Sequence, residues 1–248
     1  IAAWASTLEW LIIGRAVQGS GAISAAVTAL LADQTRDAVR TKAMAMIGAS
    51  IGLVFSLSLV LSPLLNAVLG LSGLFMLTTF LALAGIAVVL WWVPAEPARH
   101  ANHIPLGIMT SLHNVLTQPT LLRLNAGVFI LHAVQLAMWV ALPAMLEQAG
   151  LPKNSHWQVY LPAVLGSFVV MGGTLFPMER RGYLRGIFLT AIALIALVQI
   201  GLLMMATPSV ISIAWVVFLF FCGFNILEAS QPSMTSRAAA SQVRGTAL

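Results

Sequence analysis

Seven stretches of this chain, roughly residues 8–32, 43–68, 71–93, 121–146, 157–178, 184–206 and 209–231, run apolar for the length of a membrane crossing. A helix needs about 20 such residues to span the hydrocarbon core. No compact soluble fold hides seven runs of that length. The composition agrees: 60% of the residues are hydrophobic and only 8% charged, where a water-facing domain carries about one quarter charge. None of the runs alternates polar and apolar residues as a membrane barrel strand does. Helices satisfy their own backbone hydrogen bonds, so they can stand in lipid. The expectation is an all-α membrane protein.

The basic residues set an orientation. Arg36, Arg40 and Lys42, then Arg99 and Arg123, then Arg180, Arg181 and Arg185, then Arg237 and Arg244 all fall at alternate gaps between runs. Only Lys153 lies at the opposite gaps, and Arg15 lies inside a run. By the positive-inside rule the clustered residues face the cytoplasm, and the first run enters from outside. This distribution accounts for the net charge of +5 without nucleic acid. Cys222 is the only cysteine, so no intramolecular disulfide can form.

One connection is long. Residues 94–120 begin VPAEPARHANH, a Pro-punctuated polar stretch. They continue IPLGIMTSLHNVLTQP, which spaces Ile104, Ile108, Leu112, Val115 and Leu116 as one helical face. An amphipathic helix on the inner membrane surface is expected there. The linker divides the chain into residues 1–93, with three apolar runs, and residues 121–248, with four. VRTKAM at 39–44 and VRGTAL at 243–248 share V-R-x-x-A at the same topological position, as duplicated transporter halves would. The chain opens inside an apolar stretch without an initiator Met, and reads as an excerpt of a longer protein.

Charge inside an apolar run costs several kcal/mol on insertion scales. Arg15 sits about two turns inside the first run. It either snorkels to the outer interface or pairs with Glu9, or it faces a protein interior or wet cavity. Gln18, Gly19 and Ala22 follow on its face at helical spacing, and small residues let a neighbour approach. Glu228 is the one carboxylate well inside a late run, with Asn225 and Gln231 on its face. Burial favours the neutral form of a carboxyl group, which suits proton loading and release; a structural carboxylate bonded to polar neighbours is equally open. His132 and Gln135 mark a polar face on the fourth run, where a lone His is structural or a proton carrier.

The stretch GRAVQGSGAISAA, through Arg15, Gln18, Gly19, Gly21 and Ala22, resembles the fourth-helix motif R-x-x-Q-G-x-G-A of drug/proton antiporters in the major facilitator superfamily (MFS). ALLADQTRDAVRTKAMAMIG resembles the following loop and fifth-helix entry, and FNILEASQPSMTSR the tenth helix, of the YajR group of bacterial inner-membrane transporters. The resemblance spans all 248 residues, as helices four to ten of twelve. It implies a partial MFS fold of about seven helices in a multi-pass bacterial inner-membrane protein. Gly48, Gly52 and Pro63 keep the spacing of the antiporter fifth-helix motif. Its closing glycines are replaced, since G-P-x-x-G-G reads here as Ser62, Pro63, Asn66 and Ala67. ERRGYLRG, with Glu179, Arg180 and Arg185, echoes the superfamily's signature loop.

The resemblance implies a proton-coupled secondary transporter, exporting a small amphipathic compound by alternating access. The partners implied are that solute, protons and the bilayer, with no cofactor, no metal and a monomeric state. The cavity would draw on Arg15, Gln18, His132, Gln135, Trp139 and Asn225, and proton coupling on Glu228 and Arg15. Asp33 would act as a conformational latch, or is an ordinary helix-end acid. Gly19, Gly21, Gly48, Gly52 and Pro63 would serve close helix packing. The runs taken at face value allow one alternative, a free-standing seven-helix receptor. A retinal protein is disfavoured, because Lys42 and Lys153 are the only lysines and neither is in the last run. GASIG at 48–52 fits a nucleophile pattern around Ser50, but that motif needs a strand-to-helix elbow, and this one lies inside an apolar run. His100, His103 and His113 form no convincing metal set. The protein is therefore not expected to be an enzyme.

Overall fold

The computed structural model describes residues 1–21, 23–36, 39–93, 107–240 and 243–247. The described residues are helical almost throughout: α1 Leu8–Ser20, α2 Ser24–Gln34, α3 Arg40–Trp92, α4 Ile108–Thr117, α5 Pro119–Gln148, α6 Trp157–Arg180, α7 Leu184–Leu203, α8 Val210–Ala238 and α9 Arg244–Ala247. Among the described residues, six segments are long and apolar enough to cross a membrane: Arg40–Ser62, Leu64–Trp92, Pro119–Gln148, Lys153–Arg180, Leu184–Leu203 and Val210–Ala238.

The first apolar run departs from expectation. Instead of one span over 8–32 it gives two short helices, α1 and α2, that part around Gly21. Gly19, Ser20 and Gly21 stand together there, and Gly and Ser are poor helix formers. Hydropathy recorded the apolar content but not the break. In α3 the gap between the second and third runs falls at Gly70, whose φ of 66° and ψ of 179° interrupt an otherwise helical path.

Local chemistry explains the other ends. Thr7 caps α1 by accepting from the Trp10 backbone N–H at 3.4 Å. Ser209 and Ser212 cap α8 reciprocally. Pro119 begins α5, where its missing N–H costs nothing. α6 closes on Gly182, with φ of 81°; the Tyr183 N–H reaches the Met178 carbonyl and the Gly182 N–H the Glu179 carbonyl. Only glycine adopts that left-handed turn without strain, and the same pair of bonds recurs at Gly150 after α5.

The core lies among α5, α6, α7 and α8, with Leu142, Leu146, Leu175, Ile213, Val217 and Phe220 fully buried. α8 is the hub, packing against α6, α7, α3 and α5. The first half of α3 leans on α8 and α6, and Ala45 joins the core. Its second half, Leu64–Trp92, has an apolar stretch with no buried residue. Of the 94–120 connection, residues 94–106 lie outside the described residues, while α4 is formed and packs on α5 and α9.

Candidate functional site

Where α2, α3, α5, α8 and α9 meet, they line a partly open cavity of about 390 Å³. Its walls are apolar, from Val27, Met44, Ile47, Ile51 and Val128. Into them project Thr28, Asn125, Thr235 and a facing pair, His132 from α5 and Glu228 from α8. A shallower groove of about 490 Å³ between α6 and α8 is lined by Val159, Pro162, Trp215 and Phe218, among others, and holds no titratable side chain. The smaller space is the one with chemistry.

His132 Nε2 lies 3.5 Å from Glu228 Oε2, and both side chains are partly open, 44% and 28% exposed. His132 Nδ1 lies 2.9 Å from the Val128 carbonyl oxygen one turn earlier. A carbonyl only accepts, so Nδ1 carries a hydrogen and donates it. Proton exchange is thereby left to Nε2, the nitrogen facing the carboxylate. The pair can hold one proton between the two atoms or one on each. Phe224 meets the His132 ring edge-on at 5.8 Å between centroids, fixing its plane.

The other predicted residues divide. Trp139 is not among the cavity's lining residues and packs in an aromatic cluster, 5.0 Å from Phe55 of α3 and 4.9 Å from Tyr160 of α6 between centroids. Gln135 is half-buried, on the face of α5 that carries His132. Asn225 is buried and donates to Ser167 Oγ at 2.7 Å, tying α8 to α6 rather than lining the cavity. Arg15 and Gln18 bond to each other at 2.6 Å on the exposed side of α1, and neither is among the cavity's lining residues. Gly19 and Gly21 have no close side chain to accommodate. Ala22 lies outside the described residues, as do His100 and His103.

Gly48 and Gly52 stand where α3 approaches the later helices. A Cβ on Gly48 would meet Glu228 Cγ at 3.7 Å, an ordinary contact, whereas one on Gly52 would collide with the Phe168 ring of α6. Pro63 continues α3 between two apolar segments. Ser50 Oγ donates to the Met46 carbonyl at 2.8 Å within α3, so no nucleophile elbow exists there. Asp33 is exposed in the last turn of α2. Close by, Arg40 is buried and donates through Nη2 to the carbonyl oxygens of Ala32 and Thr35, at 3.2 and 3.3 Å, closing that helix end.

A second polar assembly was not foreseen. Thr41 at the start of α3 donates to Glu179 Oε1 of α6 at 2.5 Å and lies 2.7 Å from Ser233 Oγ of α8. Arg237 Nη2 donates to Glu179 Oε1 at 2.9 Å and to Thr41 Oγ1 at 3.1 Å. This joint ties the segment before the linker to two helices after it. In the sequence Glu179 stands out only within a loop echo and Arg237 only as a basic residue. Their charges at the ends of apolar runs were the available signal; nothing marked Thr41.

The whole chain, residues 1–248, matches the family model described as Major Facilitator Superfamily. It is 39% identical to the inner membrane transport protein YajR of Escherichia coli (strain K12), over 100% of this chain and 54% of that protein. It is 29% identical to an uncharacterized transporter of Buchnera aphidicola subsp. Acyrthosiphon pisum (strain APS), over 96% of this chain and 61% of the relative. A further uncharacterized transporter, from Buchnera aphidicola subsp. Baizongia pistaciae (strain Bp), is 24% identical over 100% of this chain and 64% of its own length. The chain thus spans between about half and two thirds of the curated relatives it matches. Full-length agreement with the family model, an all-helical build and six potential spans lead to one conclusion: the chain belongs to the Major Facilitator Superfamily.

Proposed function

We propose that this chain is the central part of a secondary transporter in a bacterial inner membrane, moving a small amphipathic solute by alternating access and coupling that movement to protons. The observation that carries the reading is the His132–Glu228 pair, 3.5 Å apart in a largely apolar-walled cavity shared by helices from both sides of the linker. Such a cavity suits a solute with an apolar body, and the pair gives it a place to exchange charge. Residues 1–93 and 121–248 are the parts of two halves that rock about the cavity. The Thr41–Glu179–Arg237 joint holds them together at the end where the basic residues gather. Export and antiport are the direction and stoichiometric sense of this reading, and a monomer suffices for it. Nothing in the fold or among the relatives favours the seven-helix receptor.

The experiment is dye transport by everted vesicles bearing the full-length protein, driven by an imposed pH gradient. Glu228→Gln keeps the shape of the side chain but cannot release a proton. It is expected to abolish the pH-driven component while leaving expression intact. If the variant keeps the pH dependence of the unmodified protein, Glu228 has no part in coupling.

A further inference from the structure

From His132 a continuous path of rings leads out of the cavity. His132 meets Phe224 at 5.8 Å between centroids, Phe224 meets Phe221 at 6.1 Å, Phe221 meets Trp139 at 6.2 Å, and Trp139 meets Phe55 at 5.0 Å. Every step lies within the range over which aromatic pairs attract one another. The path crosses the linker at its last step, since Phe55 belongs to α3 and the other rings to α5 and α8. Trp139 and Phe221 lie two helical turns, about 10 Å, outward of His132 and Glu228 along α5 and α8. The Phe55–Trp139 contact therefore stands on the outer side of the pair, and the Thr41–Glu179–Arg237 joint on the inner side.

That outer contact is balanced between two arrangements. Packing of Phe55, Trp139 and Tyr160 favours closure, and Tyr160 is only 4% exposed. Tyr160 Oη opposes it, because the buried hydroxyl has no hydrogen-bond partner among the described residues. Water satisfies a phenol once the rings part, so closure costs this hydroxyl its bonds. An element poised in this way needs only a small bias to move.

The His132–Glu228 pair supplies a bias at the far end of the path. An edge-to-face contact depends on the charges of rim and face, so a neutral imidazole and an imidazolium hold Phe224 differently. Such a difference is what lets one site shift an equilibrium at another. Few other charges enter. Facing the pair are Thr28 from α2, Ile51 from α3, Asn125 from α5, Thr235 from α8 and Ala247 from α9, and no further titratable side chain among the described lining residues. Inward of it, Glu179 and Arg237 are bonded to each other. Beyond the outer contact, His156 meets Tyr160 at 6.1 Å and lies 3.1 Å from the Leu151 carbonyl through Nε2.

We infer that Phe224 and Phe221 carry the protonation state of the His132–Glu228 pair to the Phe55–Trp139 contact, and so set whether the outer side of the cavity is shut. Phe224 is a positioning residue, since it touches the titrating ring and holds no proton itself. The inference rests on the proton-coupling reading and adds the route by which loading reaches the outer side.

The test uses the full-length protein with Cys222→Ala in lipid nanodiscs. Spin labels on Ser72→Cys and Asn154→Cys, both exposed and one on each side of the linker, report the separation of the outer ends. Between about pH 5 and pH 8, where histidine changes charge, the ratio of short to long distances is expected to change about fivefold. Phe224→Leu stays apolar but breaks the path, and is expected to leave the ratio flat with pH. Phe224→Tyr keeps the ring and is expected to keep the response. Phe220→Leu removes a ring that packs on Phe221 and Phe224, at 5.4 and 5.6 Å, off the direct path from His132 to Trp139. It too is expected to keep the response. A flat ratio in the parent overturns the inference, as does a response that survives Phe224→Leu or that Phe220→Leu removes equally. Glu228→Gln separates the two readings. If it abolishes pH-driven dye transport while Phe224→Leu still responds to pH, proton coupling stands and the ring path falls. If Glu228→Gln keeps both the transport and the distance response, the coupling reading fails and the inference fails with it.

Discussion

At position 132 a single hydrogen bond decides which ring nitrogen faces the carboxylate with a free lone pair. Because Val128 can only accept, His132 Nδ1 stays protonated and Nε2 alone faces Glu228. Replacing His132 with Gln leaves Glu228 without its titratable neighbour, so the pH at which dye transport is half-maximal is expected to shift; an unmoved profile would reduce His132 to packing. Asn225 has a different job. Its amide meets Ser167 in a buried site, and Asn225→Ala is expected to cost about 1–3 kcal/mol, the penalty for leaving a buried polar partner unmade. Thermal unfolding in detergent would read the loss. His132 and Glu228 were legible because a titratable side chain is conspicuous in an apolar run. Asn225 was legible as polar, but its partner is 58 positions away and Ser167 is an unremarkable residue. Hydropathy has no channel for such a pairing. Arg15 was conspicuous in the same way, yet its hydrogen bond goes to Gln18 on its own helix.

Among the elements, α3 carries the closest approach to the later helices. Phe168 lies on the bare backbone of Gly52. Gly52→Val drives a branched side chain into that ring, and overpacking of this kind costs about 1–3 kcal/mol. Phe168→Ala in the same chain is expected to restore part of the loss, and a thermal melt of the double variant that is merely additive would argue against direct contact. The glycine spacing on α3 was visible in the sequence, but not which glycine mattered: Gly48 has room for a Cβ and Gly52 does not. The element boundaries follow the same division. The gap near Gly70 lay between two apolar runs and was readable. The break near Gly21 lay inside one, where total hydropathy hid a local weakness in helix propensity.

For the molecule as a whole, the joint of Thr41, Ser233, Glu179 and Arg237 is a polar tie between the two sides of the linker. Spin labels on the exposed Lys42→Cys and Arg185→Cys, at the starts of α3 and α7, would report their separation. Arg237→Ala is expected to enlarge the long-distance population, and an unaltered distribution would show that the joint does not hold the halves. The joint was out of reach of sequence reading, since Thr41 meets Glu179 across 138 positions and Arg237 across 196. Thr41 itself sets a further condition. Its hydroxyl gives its only hydrogen to Glu179, so it must receive from both Ser233 and Arg237, and every bonding position it has is filled. The residue is only 1% exposed. Separating the halves strips all three bonds at once, and solvent has to take their place. In the proposed transport cycle, opening at this end is thus a hydration reaction, and its equilibrium should answer to osmotic pressure: excluded solutes such as sucrose are expected to hold the joint shut.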